Sequence, residues 1–73
     1  MTNYQIAYKI LEDHYNDARN KNWNCFICAI KVNENDMRRL YQEWLGKNVM
    51  LIYENLKNWP EDMITVWRVV GEW

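Results

Sequence analysis

The segment that most constrains the fold is residues 24–32, NCFICAIKV, where apolar side chains occupy both sets of alternating positions. Successive side chains of a β-strand point to opposite faces, so a continuous apolar run is typical of a strand covered on both sides. We therefore predict a central, buried strand here. Its two faces would be Phe26, Cys28, Ile30 and Val32 on one side, and Cys25, Ile27 and Ala29 on the other.

This strand also contains both cysteines of the chain, Cys25 and Cys28. Residues three apart in a strand point to opposite faces, which prevents the two sulfurs from sharing a metal or forming a short bridge. Zinc needs four ligands, and His14 is the only histidine. We predict buried, structural thiols with no metal and no cofactor, and keep a small thiol or zinc protein as the less favoured alternative.

Two segments carry apolar residues at helical spacing. The first, residues 3–20, is predicted to begin at a Thr2 or Asn3 cap and to end at the turn-forming segment NKNWN. The second, residues 33–46, would be capped by Asn33 or Asn35 and ended by Gly46. The predicted buried stripes are Tyr4, Ala7, Tyr8, Leu11, Tyr15 and Ala18 in the first helix, and Met37, Leu40, Tyr41, Trp44 and Leu45 in the second.

Two further strands complete the prediction. Residues 48–55 are ambiguous because Leu45, Val49, Ile52 and Leu56 also make a helical stripe, but their Val, Ile and Tyr content favours a strand. Residues 63–70, MITVWRVV, are the clearest strand. We predict one α+β domain, residues 1–73, in the order α-β-α-β-β, with a small three-stranded mixed sheet, the first two strands being parallel neighbours, packed by two helices. The alternative is a mostly α-helical fold with a C-terminal hairpin.

Composition limits the function. The 73 residues have a formal net charge of -1 and no serine, which argues against a duplex-DNA binder and excludes a serine triad. No secretory signal or membrane-length apolar run is visible, so we expect a cytoplasmic protein with no membrane partner. His14 lies beside acidic residues without a nucleophile or a phosphate-binding loop, so we expect no enzyme activity and no catalytic residue.

Two sets of residues are candidate binding sites. Trp59, in a loop with the only proline, and Trp73, the last residue, would be exposed beside Trp67 and Arg68. The alternative is that Trp59 folds back over the small core. If the final strand lies at a sheet edge, these four residues form a surface for strand addition by a partner or a second copy, and a homodimer is the simplest outcome. The alternative set, Arg38, Arg39 and Trp23, could hold single-stranded nucleic acid through phosphate contacts and stacking.

We therefore predict a non-enzymatic protein-binding or inhibitor module. In its small size, its Asn and Lys content and its lack of a catalytic constellation, the chain resembles the accessory and inhibitor proteins that phages and mobile elements carry. A single-stranded nucleic-acid binder is the alternative, and nucleic acid is the less favoured partner because acidic residues dilute the charge of Arg38 and Arg39.

Overall fold

The computed structural model describes residues 1–55 and 66–73. Helix α1 spans Asn3–Asn20 and helix α2 spans Glu34–Gly46, while the strands are β1 Cys25–Ile30, β2 Met50–Asn55 and β3 Trp67–Glu72. The three strands form one sheet in the order β1-β3-β2. The predicted α+β class and the order α-β-α-β-β are confirmed, and residues 50–55 are a strand rather than a helix.

The strand pairing differs from the prediction. Strand β3 lies between β1 and β2 and is antiparallel to both, so the predicted parallel pairing of β1 with β2 in a mixed sheet is wrong. The predicted edge position of the final strand is wrong for the same reason. The crossover through α2 keeps β1 and β2 parallel in direction but leaves a gap between them, and β3 fills it with ladder hydrogen bonds on both sides. Residues 63–65 of the predicted last strand lie outside the described residues.

Both helices begin at side-chain caps. The Thr2 hydroxyl accepts a hydrogen bond from the backbone N–H of Gln5 at 3.2 Å, and the Gln5 side chain accepts from the Thr2 N–H at 2.9 Å. Asn33 accepts from the backbone N–H of Asp36 at 2.8 Å. Each cap satisfies an N–H that the first helical turn leaves without a partner, and each selects one of the two predicted cap residues.

Both helices end by the same device, an asparagine in the left-handed region. Asn22 has a φ of 59° and Asn48 a φ of 62°. After α1, the N–H of Trp23 donates to the carbonyl of Ala18 at 2.9 Å. After α2, the N–H of Val49 donates to the carbonyl of Trp44 at 2.9 Å. This is the Schellman arrangement: α2 ends at Gly46 as predicted, and Asn48, two residues later, takes the left-handed position of the cap.

The helices pack on one face of the sheet, with α1 over β1 and α2 over β2. Burial along β1 therefore alternates: Phe26, Cys28 and Ile30 are buried, and the residues between them are exposed. The prediction that β1 is a central strand covered on both faces is wrong, because two helices on the same side supply only one covering layer. β1 is an edge strand with one covered face.

Aromatic side chains join the two layers. The Tyr15 ring lies 5.1 Å from the Trp44 ring, 5.1 Å from the Trp73 ring and 6.4 Å from the Phe26 ring. One side chain of α1 thus contacts α2, β1 and the residue after β3. The predicted stripes match the core except at Leu45, which is exposed because it lies on the outer side of α2.

Phe26 also packs against the sheet itself. Its Cα partner across the β1–β3 ladder is Gly71, and a Cβ added at Gly71 would lie 2.4 Å from Phe26 Cε1. The ring therefore occupies the space that a side chain on β3 would need. Gly46, at the end of α2, has no atom within 4 Å of such an added Cβ.

We predict opposite effects for the two glycine substitutions. Gly71→Ala should lower the free energy of unfolding by about 1–3 kcal/mol, because the methyl group forces Phe26 to move. Gly46→Ala is the matched control and should raise it by about 0.5–1 kcal/mol, because alanine restricts the unfolded chain. Urea unfolding measures both; equal effects would contradict this packing.

Candidate interaction surface

The helix-free side of the sheet is a continuous surface, which we call the open face. Alternate residues of each strand point to it, since the others point to the helices. The ladders of β1 and β2 with β3 place these residues in three rows across the sheet. The rows are Ala29, Arg68 and Glu54; Ile27, Val70 and Ile52; and Cys25, Glu72 and Met50.

The central row is entirely aliphatic and largely in contact with solvent. Ile27 is 56% exposed and Ile52 is 49% exposed, on either side of the half-buried Val70. Met50, in the next row, is 43% exposed. Adjacent apolar side chains at such exposure differ from the scattered apolar residues of ordinary surfaces and are typical of interaction sites.

Charged residues lie in the two rows on either side of this apolar row. Arg68 Nη1 is 3.4 Å from Glu54 Oε1, and both side chains are well exposed. Ile52, Val70 and this ion pair border a shallow hollow of 260 Å³. Glu72 lies on the opposite side of the apolar row, two residues beyond Val70 on β3.

Strand β1 adds an exposed backbone edge. The N–H of Trp73 donates to the carbonyl of Asn24 at 3.4 Å, so the alternating ladder directs the N–H and C=O of Cys25, Ile27 and Ala29 away from β3. No described strand pairs with this edge, and β1 has no charged residue. The edge therefore has little of the usual protection against pairing with another strand.

Trp23 lies where the chain enters β1. Its side chain is 52% exposed, and Lys21 Nζ lies 4.8 Å from the centre of its ring. Together with Cys25 and Ile27 it lines an open depression of 730 Å³. Trp23 thus adds an aromatic side chain to the margin of the open face.

The structure does not gather the predicted Trp and Arg binding set on one surface. Trp67 and Trp73 lie on the helix side of β3: Trp67 Nε1 donates to the carbonyl of Val32 at 3.0 Å, and Trp73 packs on Tyr15. Arg68 points to the open face, and Trp59 lies outside the described residues. The role of Trp59, Trp67 and Trp73 in binding stays a prediction. The sheet edge on which they were predicted to lie does not exist at β3, because β3 is the central strand.

The three residues of the alternative nucleic-acid site, Arg38, Arg39 and Trp23, also contact different neighbours and do not form one surface. Arg38 is paired with Glu34 at 2.7 Å, and the Arg39 guanidinium lies 4.0 Å from the centre of the Tyr4 ring. Both arginines are on α2, whereas Trp23 is beneath Lys21 at the start of β1. Both arginines thus already contact side chains of the two helices.

Sequence reasoning missed the cluster around Tyr4. Its hydroxyl donates to Glu43 at 2.7 Å, linking α1 to α2. Burial first, and then the hydrogen bond to the Glu43 carboxylate, raise the pKa of Tyr4 to about 12. No spacing rule reveals this pair, because the two residues are 39 positions apart. The cluster is a clamp between the helices, and it helps to fix both on the same side of the sheet.

His14 and the cysteines have separate surroundings. His14 Nδ1 donates to the carbonyl of Ile10, one helical turn earlier, at 2.8 Å. Cys28 is buried, and this burial raises its pKa to about 11. Cys25 is exposed, so the prediction of two buried thiols is wrong for it; β1 has only one covered face. The predicted placement of the two cysteines on opposite faces is confirmed. Residues 1–55 and 66–73 contain no cluster of three or more metal-ligating side chains.

We predict unequal reactivity of the two thiols. Cys25 should react with a disulfide reagent in native buffer at a rate near that of a small thiol, and Cys28 should react only after unfolding. A Cys25→Ala variant assigns the fast phase. Two fast thiols, or none, would contradict the one-sided sheet.

We predict that Cys28 makes stability depend on alkaline pH. The unfolded chain ionises this thiol near its ordinary pKa of 9.0, while the folded protein keeps it protonated up to about 11. The free energy of unfolding should therefore fall as pH rises between these values, by up to about 1.4 kcal/mol per pH unit from this group. Urea unfolding of wild type and Cys28→Ala at pH 7 and 10 tests this: the difference between them should shrink by about 1 kcal/mol at pH 10. An unchanged difference would refute the assignment.

Comparisons with known proteins identify no relative. No family model matches the chain, and no curated protein or solved structure shows significant similarity to it. Neither described helix is long and apolar enough to cross a membrane. The open face is the candidate functional surface of the described residues.

Proposed function

We propose that this chain is a non-enzymatic protein-binding module and that it contacts its partner through the open face. The observation that carries this proposal is the exposed aliphatic row Ile27, Val70 and Ile52 at the centre of that face. An apolar sheet face normally packs against a second layer of structure. Here the helices form that layer on one side, and a partner would form it on the other.

The composition of the surface supports a protein partner over nucleic acid. Its centre is aliphatic and its charges are at the margins, which is the arrangement of protein interfaces. Among the described residues in the three rows, Arg68 is the only basic one. It is paired with Glu54, and a phosphate would have to compete with that carboxylate. Trp23 and the edge of β1 adjoin the surface and could extend the contact by stacking or strand addition. An inhibitor role for the module stays a prediction.

We predict that one substitution on the open face removes partner binding and that an equally exposed residue elsewhere does not. Ile52→Lys places a charge in the central row and should reduce capture of protein partners from nuclease-treated lysate by roughly tenfold or more. Leu45→Lys is the control, because Leu45 is 50% exposed but lies on α2, in the helix layer. Both variants should keep the wild-type midpoint of unfolding to within a small shift.

The same experiment separates the alternatives. Equal capture by wild type and Ile52→Lys would contradict the proposal, and equal loss in Leu45→Lys would show a general effect of added charge. If capture disappears with nuclease, or falls steeply between low and moderate salt, the nucleic-acid alternative replaces the proposal, because phosphate contacts release counterions.

A further inference from the structure

We infer that the open face binds the open face of a second copy of this chain, giving a reversible two-fold dimer of sheets packed face to face. This inference rests on the proposed function, because it names the occupant of the same surface. The observation that supports it is the position of Arg68 and Glu72 on β3.

Arg68 and Glu72 lie two residues on either side of Val70 and point to the same face. Each is therefore about 7 Å from Val70 along the strand. A two-fold axis that follows the central row, perpendicular to β3, brings Arg68 of one copy opposite Glu72 of the other. Symmetry forms the same pair a second time. These two pairs make the open face complementary to itself on β3, while Glu54, which pairs with Arg68 at 3.4 Å within each copy, falls opposite the uncharged Met50 of the second copy.

The apolar residues fit the same axis. The central row lies along it, so Ile27 packs on Ile27 and Ile52 on Ile52 of the second copy, with Val70 at the centre. Sheets packed in this way have strands within about 30° of each other, a deviation that long charged side chains can span. An axis parallel to β3 would instead oppose Arg68 to Arg68 and Glu72 to Glu72, which disfavours that arrangement.

The size of the surface determines the expected strength. Three strands about 4.8 Å apart and six residues of about 3.4 Å each give a face of roughly 14 by 20 Å. Its area, about 280 Å² from these spacings, is well below the ~800 Å² per partner of a standard stable interface. The dimer should accordingly have a dissociation constant in the micromolar range or weaker and should dissociate on dilution.

The test is sedimentation equilibrium of the full chain from low micromolar to about 1 mM, at low salt. Wild type should approach twice the monomer mass as concentration rises. Arg68→Glu and Glu72→Arg should each raise the dissociation constant by about tenfold or more, because each makes both pairs repulsive. An equimolar mixture of these two variants should recover dimer, since the acidic face of one then meets the basic face of the other. Recovery also shows that both variants are folded.

The matched apolar controls are the variants used above. Ile52→Lys should abolish the dimer, and Leu45→Lys should leave it unchanged. A wild type that stays monomeric at the highest concentration would overturn the inference; if Ile52→Lys still removes another captured protein, the proposed function stands without it.

Other occupants give distinct results. Proline at position 29 removes an N–H that points outward from the edge of β1. A dimer that is insensitive to both charge variants but is lost in Ala29→Pro would therefore form through that edge. This result would overturn the face-to-face arrangement.

Discussion

The packing of Tyr15 against Trp44 is the contact on which the rest of the structure depends. It joins α1 to α2 at 5.1 Å, and the Tyr15 ring continues to Phe26 and Trp73. Trp44 is 1% exposed, and its indole N–H has no hydrogen-bond partner among the described residues, so ring packing rather than hydrogen bonding sets its position. Aromatic side chains bury the largest area per residue, which is how a 73-residue chain builds this core.

Holding both helices together also places both on the same side of the sheet. The helix pair covers Phe26, Cys28 and Ile30 of β1 and leaves the intervening residues to solvent. The aliphatic row on the other side is a consequence of this division, because a chain with two helices has no further described layer to place there. The proposed interaction surface and the compact core thus share one origin. The unequal environments of Cys25 and Cys28 have the same origin.

Much of the local structure was predictable because its causes are local. Apolar spacing in residues 3–20 identified the buried face of α1, and the caps at Thr2 and Asn33 follow from side chains that reach a nearby N–H. Helix α2 ends at Gly46 as predicted, and the left-handed residue that completes its C-terminal cap is Asn48, two positions further on. Of the surface, Arg68 was identified, but Ile27 and Ile52 were missed: an apolar residue in a strand gives no sign of which face stays uncovered.

The sequence by itself determined the element types and their order, because hydrophobic periodicity, capping and β-propensity act over a few residues. Only the tertiary structure decided that β3 is inserted between β1 and β2, that both helices share one face, and that Arg68 and Glu72 flank an exposed aliphatic row. These features depend on which strands pair and on which side a crossover passes. Strand pairing and the crossover bring together residues that are far apart in the chain. The free energies of the competing arrangements therefore depend on contacts that exist only in the complete fold.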